Sequence, residues 1–373
     1  MVLVSVVVLV VLFLVVPTSG VLLVRSVFLV VGAALMMLAG VRMLVPDEAI
    51  WPNSEVMRRC RWLARHLEKR ADWASSPVVL LTGSSTTMFG LDPERIEHRL
   101  AEAGVPATVL SFSISGATLH ERRYMLQSFL EMLNDETRRK LRIAHVLILQ
   151  EVFDAYDQNP LYRMEKEAFS QRLIQFLNPE NARKAWQAYA LQCQADPGLT
   201  RWPMALLLAR HSLLNVFSVG ALADMEWLGK KRKRTAPFFA LEGHKQNFNY
   251  LKAVELLQQP ADATSRQNSA LPFPQAKLSS DQMLEPLQSY PYHMGFYALP
   301  MLEPSRTAYA EELSRLSDGS KPFLGPPSAV ELGAMLSAEC WFDGVHPTGK
   351  GAELFSDWFA GKLIPILSAN VRE

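Results

Sequence analysis

The sequence predicts an α/β protein: a mostly parallel sheet covered on both faces by helices, preceded by an N-terminal transmembrane segment or hairpin. Three observations carry this expectation. Short apolar, β-branched runs alternate with helix signatures after residue 77, and the alternation returns near the C-terminus. Small-residue turns follow the first two runs, as they do where a strand of a parallel sheet hands over to its crossover helix. The first 45 residues carry only two charges, Arg25 and Arg42, in a stretch otherwise dominated by Val, Leu, Met, Ala and Phe.

Residues 1–45 read as a membrane anchor of one or two segments. Val2 to Val16 is short for a bilayer, Thr18-Ser19-Gly20 reads as a turn, and Ser26 to Val45 has spanning length. A cleaved signal peptide is the rival reading, but it lacks a basic leading region and the apolar stretch is too long. Charge leaves the orientation open. Arg25 between the segments favours a cytoplasmic turn, whereas Arg58, Arg59, Arg61 and Arg65 favour the inside for the chain after the second segment. Residues 46–76 read as an amphipathic linker helix, with Val56, Leu63 and Leu67 at helical intervals among arginines. It lies at the membrane or is an ordinary surface helix of the domain.

Residues 77–159 form the first half of the expected core. Val78 to Leu81 reads as a buried strand, Gly83-Ser84-Ser85-Thr86-Thr87 as its turn, and Asp92-Pro93 as N-cap and first residue of a helix ending near Gly104. "ATVLSFSISGATLHERRYMLQSFLEML" repeats strand, turn and helix, and Ile143 to Leu149 gives a third strand. Residues 160–272 break the pattern and read as a helical insertion, with the basic run Lys230-Lys231-Arg232-Lys233-Arg234. That run is a solvated face, a contact for anionic lipid or polymer, or, least in keeping with a chain without a binding module, a nucleic-acid contact. Residues 273–373 resume the core, with a strand after Tyr290, a short strand at Lys321 to Leu324, and a last helix from Gly349 to Leu363.

Composition excludes little and confines the rest. At 373 residues with 49% hydrophobic residues the chain has ample core, and a formal net charge of +1 points to no polyanionic partner. Cys60, Cys193 and Cys340 have no metal-ligand spacing and read as free thiols, with a single Cys193–Cys340 bridge as the alternative in an oxidising compartment; no metal or cofactor is implied. His120, His244 and His293 show no partner spacing. Asp154 and Asp157 read as solvated loop carboxylates, with binding of polymer hydroxyls as the alternative.

Chemistry concentrates at the strand ends and in "CWFDGVHPTGKGAELF". In a turn before a helix, Asp343 can hold one nitrogen of His346, leaving the other to take a proton. Pro347 and Gly349 stiffen the turn. Ser85, after the first strand, is the hydroxyl that converging loops of a parallel sheet bring to His346. Backbone N–H groups at such a turn suit an oxyanion. A helix cap is the bland role for Ser85, and a tight turn the bland role for Gly116.

These pieces resemble the SGNH (GDSL-like) hydrolase superfamily. "VVLLTGSSTT" resembles its first block, with Ser84 in place of the usual aspartate and Ser85 as nucleophile. "SFSISGATLHE" resembles the second, with Gly116 as oxyanion donor, and "FDGVHPTGKGAELF" the last. The resemblance covers residues 77–155 and 290–365. It departs at the third block, where Gln150 and Glu151 stand in place of the asparagine; Gln150 can donate an N–H, and an ionised Glu151 cannot. The plan is similar to that of membrane-anchored enzymes of alginate O-acetylation and teichoic acid D-alanylation. That implies a three-layer α/β/α fold, a Ser85–His346–Asp343 triad, and an oxyanion hole from Ser85, Gly116 and Gln150. It also implies an acyl-serine intermediate, an extracytoplasmic domain on the bacterial cytoplasmic membrane, a membrane-bound O-acyltransferase (MBOAT) partner and a polysaccharide or envelope-polymer acceptor. An esterase releasing acyl groups to water and a degenerate envelope scaffold are the alternatives.

Overall fold

The computed structural model describes residues 20–44, 55–70, 76–115, 119–151, 200–216, 240–258, 284–302, 321–325 and 327–370, with isolated positions between them. The order is α1 (Gly20–Leu44), α2 (Glu55–Lys69), β1 (Val78–Gly83), α3 (Ser85–Gly90), α4 (Pro93–Glu102), β2 (Thr108–Ser113), α5 (Leu119–Met132), α6 (Asp135–Leu141) and β3 (Val146–Glu151). Then come α7 (Arg201–Val216), α8 (Tyr250–Gln258), β4 (Tyr292–Tyr297), β5 (Phe323–Leu324), α9 (Ala329–Met335) and α10 (Gly349–Asn370).

The strands form one five-stranded parallel sheet in the order β2-β1-β3-β4-β5. Every residue of β1, β2 and β3 is buried, because helices cover both faces. Alternation along the strands splits the core in two. Val78 and Leu80 of β1 and Val146 and Ile148 of β3 face a cluster completed by α2 and α5. Val79, Leu81, Leu147 and Leu149 face a second cluster completed by α4, α9 and α10. The arrangement is the expected three-layer α/β/α sandwich.

Local signals explain most boundaries. Asp92 caps α4, its Oδ1 accepting from the N–H groups of Glu94 and Arg95, with Pro93 behind it. Gly104 ends that helix at φ 77°. The third strand starts at Val146, not Ile143. Ile143 follows the last turn of α6 and is 83% exposed, so its side chain has no sheet face to join. α10 outlasts its expected end at Leu363, running on through Pro365 to Asn370.

α2 belongs to the domain. Val56, Met57, Cys60, Leu63, Ala64 and Leu67 are buried in the first core cluster, and Cys60 Sγ donates to the carbonyl of Met125 in α5. Arg59, one of the four arginines that favoured an inside location, is buried with its guanidinium on Met88 Sδ at 3.3 Å.

α1 is 25 residues long, and Arg25 and Arg42 are its charged residues. Its side chains are described over only part of its length, and among the described residues no helix is long and apolar enough to cross a membrane. The anchor expected over 1–45 is therefore not shown. The first apolar segment, most of the insertion and its basic run 230–234 lie outside the described residues, as do Asp154 and Asp157. α8 and the segment before it pack Phe248, Tyr250, Ala253, Val254 and Leu257 on the second core cluster.

Candidate functional site

In a sheet of this order the direction of winding reverses between β1 and β3. The crevice beyond their carboxyl ends is where such folds bind ligands. Ser85 stands there as the first residue of α3, with Ser84 as its N-cap accepting from Thr86 N–H. The hydroxyl is half-buried and lies 2.8 Å from His346 Nε2.

His346 is held from behind. Its Nδ1 is 2.9 Å from Asp343 Oδ1 and 3.1 Å from Oδ2. Asp343 Oδ1 also accepts from the backbone N–H groups of Val345 (2.9 Å) and His346 (2.8 Å). A three-residue spacing works because the carboxylate caps its own turn. Burial alone would raise the Asp343 carboxyl, but the His346 ring and these two N–H groups outweigh it and hold the group well below 3.8. Asp343 therefore stays ionised, which fixes the proton on Nδ1 and leaves Nε2 as acceptor for the serine proton.

The turn itself is fastened on several sides. Trp341 and Pro347 form an antiparallel bridge, and Phe342 N–H donates to the His346 carbonyl at 2.9 Å. Trp341 is fully buried and its Nε1 donates to the Met335 carbonyl. From the insertion side, Lys245 N–H donates to the Phe342 carbonyl, His244 Nδ1 lies 2.7 Å from the Trp341 carbonyl, and Lys245 Nζ is 3.6 Å from Asp343 Oδ2. His244 thus holds the turn's backbone.

α10 brings this turn to Ser85. Ser356 Oγ accepts from Asp92 N–H at 2.8 Å, and Asp357 takes a two-point bond from Arg95 of α4 at 2.8 Å each. Phe89, one turn beyond Ser85, packs edge-on against the His346 ring at 5.5 Å between centroids.

The structure thus joins Ser85, His346 and Asp343, three residues named from sequence. Gly116 lies outside the described residues. Gln150 is fully buried on the strand beside β1, paired in register with Thr82, and neither amide atom has a hydrogen-bond partner. Ser113 is bonded to Ser111 within β2, a packing role.

Sequence reasoning missed the part played by Glu151. Its Oε2 accepts from Ser84 N–H at 2.7 Å and from Thr87 Oγ1 at 3.0 Å. Tyr297 OH stands 2.6 Å from Thr87 Oγ1 and 3.2 Å from the Thr82 carbonyl. Arg122 of α5 lies 3.9 Å from Glu151 Oε2, both side chains fully buried. The available signal was a glutamate closing a buried strand whose first four residues are apolar. Such a charge needs a buried partner.

Among the described residues no His, Cys, Asp and Glu cluster could hold a metal ion, and Cys60, Cys193 and Cys340 are free. Comparison with protein-family models, with curated proteins and with solved structures finds no match for this chain.

Proposed function

We propose that this chain is a serine acyltransferase of the SGNH type, held at the membrane and acting on an extracytoplasmic polysaccharide or other envelope polymer. The observation that carries the chemistry is the line Ser85 Oγ–His346 Nε2 at 2.8 Å and His346 Nδ1–Asp343 at 2.9 Å. In this reading His346 takes the hydroxyl proton as Ser85 Oγ attacks an acyl ester or thioester carbonyl. The negative charge on the carbonyl oxygen is met by the Ser85 N–H, with Gly116 and Gln150 as further donors. Collapse expels the donor alcohol or thiol, protonated by His346. An acceptor hydroxyl then gives its proton to His346 and attacks the acyl-serine; collapse releases the acylated acceptor, and His346 returns the proton to Ser85 Oγ. Asp343, ionised throughout, stabilises the imidazolium that forms twice.

Membrane attachment rests on α1, whose residues 26–41 carry no charge and whose Phe28, Leu29 and Met36 are each more than 70% exposed. The MBOAT partner as acyl donor and the polymer acceptor rest on the resemblance alone.

The test is incubation of the full chain and Ser85→Ala with p-nitrophenyl acetate, with and without envelope oligosaccharides, followed by mass spectrometry. Acetylated oligosaccharide and an acyl-Ser85 adduct from the wild type alone are expected. Release to water with no acylated sugar would make the protein an esterase. No release and no adduct would leave a scaffold.

A further inference from the structure

Glu151 presents a problem that the triad does not solve. A buried carboxylate sits against the turn that carries Ser85, where the proposed chemistry builds up negative charge. Left ionised and unpaired it would oppose that charge; left without donors it would not be tolerated at all. The chain answers at Oε2. Arg122 Nη2 approaches Oε2 and Arg122 Nη1 donates to the Glu151 carbonyl at 3.4 Å, so the strand end is neutralised in place. The carboxylate faces Ser84 N–H and Thr87 Oγ1, which flank Ser85 in the chain. Gly83 shows how tight the fit is: a Cβ there would fall on Thr87 Oγ1 and within 2.8 Å of Glu151 Oε2.

We propose that Glu151, neutralised by Arg122, is the positioning residue of the Ser85 nucleophile. Its Oε2 pins the residue before Ser85 and the side chain two residues after it, fixing where the Ser85 N–H and Oγ point. A helix of six residues has too few internal bonds to hold that angle alone. An external clamp from β3, in register beside β1, supplies the rigidity. Tyr297, through Thr87, extends the clamp to β4. This rests on Ser85 being the nucleophile.

The experiment measures the rate at which a fluorophosphonate probe labels the full chain, with kcat and KM for p-nitrophenyl acetate, in Glu151→Leu, Glu151→Gln and Thr87→Val. Folded fraction is followed by near-UV circular dichroism. Leu fills comparable space but accepts no hydrogen bond. Displacing a reacting atom by about 1 Å costs on the order of 100-fold. Glu151→Leu should therefore lower labelling and kcat by roughly 100-fold per folded molecule, with KM within about threefold. Glu151→Gln, which keeps an acceptor, should recover to within about tenfold of wild type. Thr87→Val removes one donor and leaves the charges intact, and should lose about fivefold. This variant and Glu151→Gln carry the test if Glu151→Leu does not fold. Wild-type rates per folded molecule in Glu151→Leu, or in both other variants, would overturn the inference while Ser85 still labels. No labelling of wild-type Ser85 would overturn the nucleophile reading together with this one.

Discussion

Asp343 shows how much one side chain can do within a single turn. It caps the turn's backbone, orients the ring and stays charged. Asp343→Asn keeps the shape but offers an amide N–H to a ring that needs an acceptor, so the proposed acyl transfer should fall by roughly 10³–10⁴-fold with little change in substrate binding, read as kcat against KM. Asp343→Ala also strips the turn of its cap and should lower stability by about 2 kcal/mol at neutral pH. The pH dependence has a definite sign. The folded carboxyl lies below its ordinary 3.8, so its contribution is complete above that value and fades as pH falls through the folded one. The stability gap between wild type and Asp343→Ala, from urea unfolding, should therefore narrow between about pH 5 and pH 2. The Ser85–His346–Asp343 arrangement was legible because the spacing of Asp343 and His346, the proline after them and the small-residue turn at Ser85 are local signals. Glu151 was not, because its meaning lies in Ser84, Thr87 and Arg122, which only the sheet and α5 bring to it. Gln150, expected as an oxyanion donor, has neither amide atom bonded.

At the scale of elements, packing decided what propensity left open. β1, β2 and α4 lie close to where their β-branched runs and caps put them, since those signals are strong and short-range. The third strand begins three residues late, because the turn after α6 lifts Ile143 into solvent. α2 read equally well as a membrane-lying helix, and its burial against α5 is a tertiary fact invisible in its own sequence. Leu63, fully buried there, should cost about 2–5 kcal/mol on substitution by Ala, measured as a lower urea midpoint. The Arg95–Asp357 bond between α4 and α10 is partly exposed, so its double-mutant coupling should be only about 0.5–1 kcal/mol. It sets register more than stability. Loss of either partner should depress activity more than melting temperature.

At the scale of the whole molecule, the reversal of winding between β1 and β3 gathers Ser85, Glu151 and the buried Gln150 at one end of the sheet, and α10 delivers His346 to the same place. If α1 anchors the protein, removing residues 1–45 should release it from alkaline-washed membranes while Ser85 labelling survives, because α2 and the core are complete without them. Persistent membrane association would shift attachment to the domain itself.

The bond between Ser85 and His346 closes across 261 residues. During synthesis at about 5–20 residues per second, roughly 13 to 50 s separate the appearance of the hydroxyl from that of its base. A nascent or prematurely ended chain therefore carries an unactivated serine. Under the proposed chemistry such a chain spends no acyl donor in water before its sheet is finished, because Ser85 and His346 meet only once the last helix has been made.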